Sequence, residues 1–433
     1  MRYYFSLIFI IILFSGCGVK KSSIDIHSYP KLTELNQESY DEELFSKEVS
    51  YHLSSDLVSR FFEVWSTEAN IEDSDLWGVD YTKSRIGYGR NLLKYTQKEK
   101  NSFIVNADAK NYPSLDRDAI LVRDSNFRVM PTSEPFFYNP KKAGEGYPFD
   151  YFQNSRVYAN TPLKVVHKSL DGAWVYAISY FVKGWVSVED IVFVDEGFKS
   201  EFISSTLVGV VKEPLLIKDR DGFLITKLHI GTLLPFRDNR AFLARKFGSK
   251  KAFIEKLELN DALLELPLTP SIKNFTTIAK RMIGEKYSWG GKDGKRDCSM
   301  FTRDFYIPFG IYLPRNSRAQ AFFEDGEYVD ISGMDWKEKS DYILQNGKPY
   351  LSLLYKKGHI MLYVGSYKGK PMIVHDLWGI KTLDDGVWGR YIIGRTLLSP
   401  LDIGARLENA DRDSLIINQV EGIKTINTKR FYE

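Results

Sequence analysis

The feature that most constrains this chain is a change of period near residue 112. Upstream, Phe45, Val49, Leu53, Leu57, Phe61 and Trp65 recur every fourth position, which sets them on one face of a helix. Downstream, short runs rich in β-branched and aromatic residues are punctuated by Gly, Pro, Asp and Asn, the pattern of small all-β units. One core cannot serve both patterns, and 433 residues exceed what a single core fills. The expected fold class is therefore multidomain α+β. A helical N-terminal domain is expected over residues 31–108, then two small β-barrels over 109–197 and 198–262. Strands are expected at 119–122, 161–167, 174–179 and 184–188 in the first barrel, and at 207–211, 214–218, 224–229 and 252–257 in the second. Pro267 and Pro270 mark a stiff linker. The last domain is expected over 263–400, and the tail at 401–433 carries little signal.

Charge and the N-terminus narrow the function. Lysine and arginine total 59 against 56 acidic residues, and no basic run is interleaved with aromatics, so nucleic acid is not an expected partner. Arg2, the apolar stretch 3–14 and Ser15-Gly16-Cys17 read as an export signal over residues 1–16. A spanning helix, the alternative, needs about 20 apolar residues. Cys17 behind small residues resembles the acylated cysteine of bacterial lipoproteins, with Phe14 a departure from the smaller residue usual there. That resemblance implies a lipid on Cys17, a polar tether over 17–30 and attachment to a membrane. Gly18 in place of aspartate would permit the periplasmic side of the outer membrane in a cell with two membranes; otherwise the cell surface is expected.

The chain has only two cysteines. With Cys17 acylated, Cys298 has no disulfide partner, and an unpaired exported thiol is a liability unless it is used. An inert buried thiol is the alternative. Asp297-Cys298-Ser299 is followed by Met300, Phe301, Phe305, Tyr306 and Phe309 at helical spacing, so Cys298 opens a helix, where backbone N–H groups favour a thiolate. A nucleophile also needs a base held by a third group. Residues 358–365 and 371–375 flank a turn and read as a hairpin. Centring it on Tyr367 sets His359 directly opposite His375, with Asp376 on the other face. His359 is then the base and His375 its orienting partner. Structural histidines, or a Cys-His-His zinc site, are the alternatives. No fourth ligand is apparent, so neither a metal nor a cofactor is expected.

Tyr287-x-Trp289-Gly290-Gly291, Asp297-Cys298-Ser299, Leu313-Pro314-Arg315-Asn316-Ser317, Gly358-His359-x-x-x-Tyr363-Val364-Gly365 and the later strand histidine together resemble the NlpC family of papain-like cell-wall cysteine peptidases. Met300 stands where that family usually has glycine, which puts the pocket width in doubt. Gly184-Trp185-Val186 resembles the closing strands of bacterial SH3-like barrels, and the Gly-rich segment 144–155 resembles the subgroup with two such barrels. The resemblance implies a γ-D-glutamyl-diamino acid endopeptidase acting on peptidoglycan stem peptides. It also implies that Tyr287 and the Cys298 N–H stabilise the oxyanion, and that Asp297 and Ser299 bind a free α-amine. Glu145 and Tyr147 are the barrel residues expected at the same pocket. Trp289 is expected as pocket wall or core, and Arg315 either pairs with a substrate carboxylate or forms an intradomain ion pair. A monomer is expected. A non-enzymatic peptidoglycan-binding lipoprotein and an amidase or acyltransferase on the same fold are the competing functions.

Overall fold

The computed structural model describes residues 23–37, 47–248 and 251–426. The expected export signal and Cys17 lie outside the described residues, as does Phe45 of the helical stripe.

The period-four stripe forms the helix Lys47–Ser66, and Leu57, Phe61 and Trp65 are buried. They do not build a separate helical core. They lie against the first barrel, where the Trp65 indole N–H donates to the Ala119 carbonyl at 3.1 Å. The barrel is a seven-stranded antiparallel sheet in the order Gln153–Val157, Ser125–Arg128, Lys183–Ser187, Trp174–Ile178, Pro162–Lys168, Arg117–Leu121, Ile191–Phe193. Val175 and Ala177 point into the barrel, while Tyr176, Ile178 and Trp185 join the layer under the helices. Burial on both faces explains why these strands read as near-continuous apolar runs. Ser125–Arg128 and Gln153–Val157 were not expected as strands, because their side chains are mostly polar.

The second β unit is a five-stranded sheet in the order Lys251–Leu257, Arg240–Phe247, Leu233–Arg237, Leu207–Val210, Leu263–Glu265, beside a hairpin of Leu215–Lys218 with Leu224–Leu228. The expected linker is packed rather than free: Leu266 is buried, and the Leu268 N–H donates to the Pro308 carbonyl at 2.8 Å.

The C-terminal domain is built on six antiparallel strands: β1 (Glu327–Asp330), β2 (Ser352–Lys356), β3 (His359–Tyr367), β4 (Lys370–Asp384), β5 (Val387–Pro400) and β6 (Gly422–Thr425), in the order β1-β6-β2-β3-β4-β5. One face packs Ile360, Leu362 and Val374 against Phe275, Phe301 and Phe305 from the helices Ile272–Met282 and Cys298–Tyr306. The other packs Met361, Tyr363 and Ile373 against Ile403, Leu407, Leu415 and Ile416. The domain therefore does not end at Pro400. Residues 401–426 cover one face and supply β6 to the interior of the sheet. That strand escapes a sequence reading because its partners Glu327–Asp330 and Ser352–Lys356 are distant in sequence.

Candidate active site

Cys298 is the first residue of its helix, and Asp297 is the cap, accepting from the Met300 N–H at 2.9 Å. The second Asp297 oxygen accepts from the Gly290 N–H at 2.9 Å. Gly290 and Gly291 have φ of 63° and 72°, a region that glycine enters without strain. A Cβ on Gly291 would lie 2.3 Å from Met300 Sδ and 3.1 Å from Arg156 Cβ. Met300 thus fills the space under this loop and does not line the cavity at Cys298. We expect Gly291→Ala to cost about 2 kcal/mol from overlap and left-handed strain together. Thermal melting would show the loss as a lowered midpoint.

The two histidines meet, though not as the centred hairpin predicts. Tyr367 pairs with Lys370, so the turn is the two residues Lys368-Gly369, both at positive φ, and the register shifts again between Tyr363 and Gly365. Leu362 consequently faces Val374, and the histidines contact diagonally instead of in direct opposition. His359 Nε2 and His375 Nδ1 are 2.9 Å apart, and His375 Nε2 lies 3.0 Å from Ser399 Oγ on β5. Ser399 carried no sequence signal. If His375 Nε2–H donates to Ser399, its Nδ1 accepts from His359 Nε2–H, which leaves His359 Nδ1 unprotonated and able to take a proton.

The resting charge state differs from the expected thiolate. Burial, then the charge of Asp297, pushes the Cys298 thiol up to about 12, against an opposing hydrogen bond from the Ile360 backbone. Burial, then His375 and Lys356, holds His359 well below the usual imidazole range, and burial takes His375 to about 3. The helix N-terminus is present, but desolvation outweighs it, so thiol and imidazole rest neutral. The His375 shift has a signed consequence. Its folded pKa lies below the unfolded value of about 6.5, so its stabilising contribution is complete above pH 6.5 and is lost as pH falls toward 3. In His375→Asn, unfolding free energy measured by denaturant titration between pH 6 and 4 should fall less steeply, by about 1.4 kcal/mol per pH unit.

The cavity above Cys298 has a volume of about 190 Å³ and is lined by Tyr287, Trp289, His359 and Asp376. The first barrel closes one side through Phe149, whose ring lies 5.5 Å from Trp289, 6.3 Å from Tyr287 and 6.0 Å from Trp378. The barrel residues expected here, Glu145 and Tyr147, do not line the cavity. Glu145 lies 3.9 Å from Lys142, and Tyr147 is 68% exposed beside a separate cleft. The turns at Gly144 and Gly146 send these side chains outward and bring Phe149 in. Asp297 and Ser299 are likewise engaged elsewhere. Arg315 donates to both Asp297 oxygens at 3.1 and 2.9 Å, to Ser299 Oγ at 2.9 Å and to Ser155 of the barrel at 2.6 Å. Of its two expected roles, Arg315 takes the intradomain ion pair. Asp376, expected on the face opposite the histidines, lines the same cavity, as do residues the sequence reading missed: Lys356, Trp378, Arg390 and, from the tail, Ser414 and Leu415. The tail residues could not be found from motifs, because only the chain reversal after Pro400 brings them here. Among the described residues, no group of three or more His, Cys, Asp or Glu is arranged to hold a metal.

Residues 284–395, which hold the helix-start cysteine and the paired histidines, match a family model described as NlpC/P60 family. The chain carries an NlpC/P60 domain. Residues 6–112 match the N-terminal stabilising domain of NLPC_P60 proteins, and residues 135–187 match an SH3 domain of the SH3b1 type. A solved NlpC/P60 endopeptidase from Photobacterium damselae subsp. piscicida is 26% identical with a TM-score of 0.79, covering 94% of this chain and 98% of that one. A curated relative, "Probable endopeptidase p60" of Listeria welshimeri, is 29% identical over 126 residues, or 27% of this chain. The chain spans about a fifth of that relative's length, 20%. The match to the NlpC/P60 domain contains Cys298, His359 and His375 but stops before Ser399 and the tail residues of the cavity.

Proposed function

We propose that this protein is an exported cysteine peptidase that hydrolyses peptidoglycan stem peptides at the γ-D-glutamyl-diamino acid bond. The observation that carries the reading is the hydrogen-bonded line Ser399, His375, His359 ending in a cavity with Cys298. As Cys298 Sγ bonds to the carbonyl carbon, His359 Nδ1 accepts the thiol proton. The oxyanion is received by the Cys298 backbone N–H and the Tyr287 hydroxyl. Collapse breaks the C–N bond, and His359 gives its proton to the departing amine. A water molecule then attacks the thioester, losing a proton to His359, and the acid leaves as Cys298 regains its thiol.

A cavity of about 190 Å³ walled by Phe149 supports short peptide ends over cross-linked wall as substrate. A free terminal amine near Asp297 and Ser299 belongs to the same proposal, and it requires substrate to loosen their bonds to Arg315. The test is digestion of purified muropeptides and of intact sacculi, with products weighed by mass spectrometry. New D-glutamate and diamino acid termini from free peptides support the reading. Equal cleavage of sacculi removes the preference for short ends, and identical product mixtures from wild type and Cys298→Ala remove the peptidase itself in favour of a binding lipoprotein. Anchoring through Cys17 is also proposed: Cys17→Ser should move the protein from the membrane fraction to the soluble one.

A further inference from the structure

Two cations in the cavity have no part in the bond-making steps. Lys356 is the last residue of β2 and is the direct cross-strand partner of His359, so the two side chains stand on one face of the sheet, next to each other. Arg390 enters the same cavity from β5. Neither makes a hydrogen bond or ion pair with a protein group among the described residues. The third cation lining the cavity, Lys381, is already engaged: it pairs with Asp411 at 2.8 Å and lies 3.4 Å from the centre of the Trp388 ring.

The first barrel comes close to Arg390. Gly144, at φ 82°, lies so close to it that a Cβ there would sit 2.8 Å from Nη2 and 3.0 Å from Nε. A side chain at 144 would push the guanidinium aside, and glycine leaves it beside the turn. Burial, and then the neighbouring Arg390, holds the Lys356 ammonium below its usual range, while burial lowers Arg390. Among the described residues the carboxylate that acts on Lys356 is Glu421, whose influence is weaker than that of Arg390. Two like charges drawn together without a counter-ion cost folding free energy. A carboxylate between them would reverse that cost and gain charge-assisted hydrogen bonds.

Position tells which part of a substrate that carboxylate belongs to. His359 must reach the departing amine to protonate it, so the residue directly across the strand from His359 borders the amine-side fragment. Resting on the peptidase reading above, we propose that Lys356 and Arg390 form a carboxylate-binding subsite for the released fragment, and that the enzyme selects a diamino acid bearing a free carboxylate over one whose carboxylate is amidated or missing.

The test uses the full protein and two synthetic peptides, L-alanyl-γ-D-glutamyl-diaminopimelate with free diaminopimelate carboxylates and the same peptide with them amidated. The quantity read is the ratio of kcat/KM for the two within each enzyme, which does not depend on how much protein is folded. Wild type should prefer the free acid by about tenfold or more. Lys356→Met and Arg390→Met should each move the ratio toward one, mainly through KM for the free acid. A ratio near one in wild type, or an unaltered ratio in both variants, overturns the subsite while leaving the peptidase intact. If wild type cuts neither peptide and matches Cys298→Ala, the peptidase reading fails and the subsite falls with it.

Discussion

Cys298→Ala is expected to lose hydrolysis of stem peptides by roughly 10⁴-fold or more while keeping its fold. The thiol is 8% exposed and is tied to the surroundings chiefly by packing in the domain core, so truncation removes one sulfur atom and costs on the order of 1 kcal/mol. Activity has no substitute route. Ser299 stands next in the chain, but its hydroxyl is bound to Asp297 at 3.2 Å and receives Arg315 at 2.9 Å. Chromatography of muropeptide digests gives the rate, and thermal melting gives the fold. A variant that melts with wild type and still cuts would exclude Cys298 as nucleophile.

Arg296→Met carries the largest expected effect on stability. Arg296 is fully buried and donates to Glu213 at 2.7 and 2.8 Å, to Asp304 at 2.7 Å, to the Ile230 carbonyl at 2.8 Å and to Glu285. Glu213 and Ile230 belong to the second β unit, and Asp304 lies on the cysteine helix and also receives the hydroxyl of Tyr158 from the first barrel. Three parts of the molecule therefore meet on one guanidinium. Burial, opposed by Arg296 and reinforced by Glu213, pushes Glu285 up to about 7, so one of the three carboxylates shares a proton near neutrality. Removing the cation leaves Glu213 buried without its partner cation and Asp304 with only Arg303, at 3.3 Å, and the Tyr158 hydroxyl, a loss of about 3–5 kcal/mol. The melting midpoint should drop by roughly 10 °C. Adding Glu213→Gln to the Arg296→Met variant should recover part of that loss. An unaltered midpoint in the single variant would show that the cluster does not hold the domains together.

The Arg296 cluster shows which kind of feature a sequence reading misses. Arg296 sits two residues before Cys298, in a loop that reads as polar connection, and nothing local marks it as a side chain with no exposed surface. Its partners at 213, 230, 285 and 304 are scattered along the chain. The same holds for Lys356 and Asp376, which are ordinary strand residues until the sheet and the tail enclose them, and for Arg390, which reaches the cavity rim from an exposed strand position. Local signals fared better. The helix start at Cys298, the meeting of His359 with His375 and the strands around Trp174 and Trp185 follow from period, capping and turn chemistry that act over a few residues. Even there the register failed. The turn tightened to Lys368-Gly369 and the bulge before Gly365 absorbed a residue, and neither is fixed by the apolar pattern alone.

The sequence by itself determined the order of the domains, the helix start at Cys298 and the meeting of His359 with His375, because each rests on short-range backbone preferences and turn chemistry. Tertiary structure decided the charge states and the shape of the pocket. Burial turned a helix-start cysteine into a neutral thiol, moved Glu145 and Tyr147 out of the cavity and Phe149 in, and folded residues 401–426 back to close the site. Desolvation and enclosure depend on which distant segments come together, and no window of sequence contains that information.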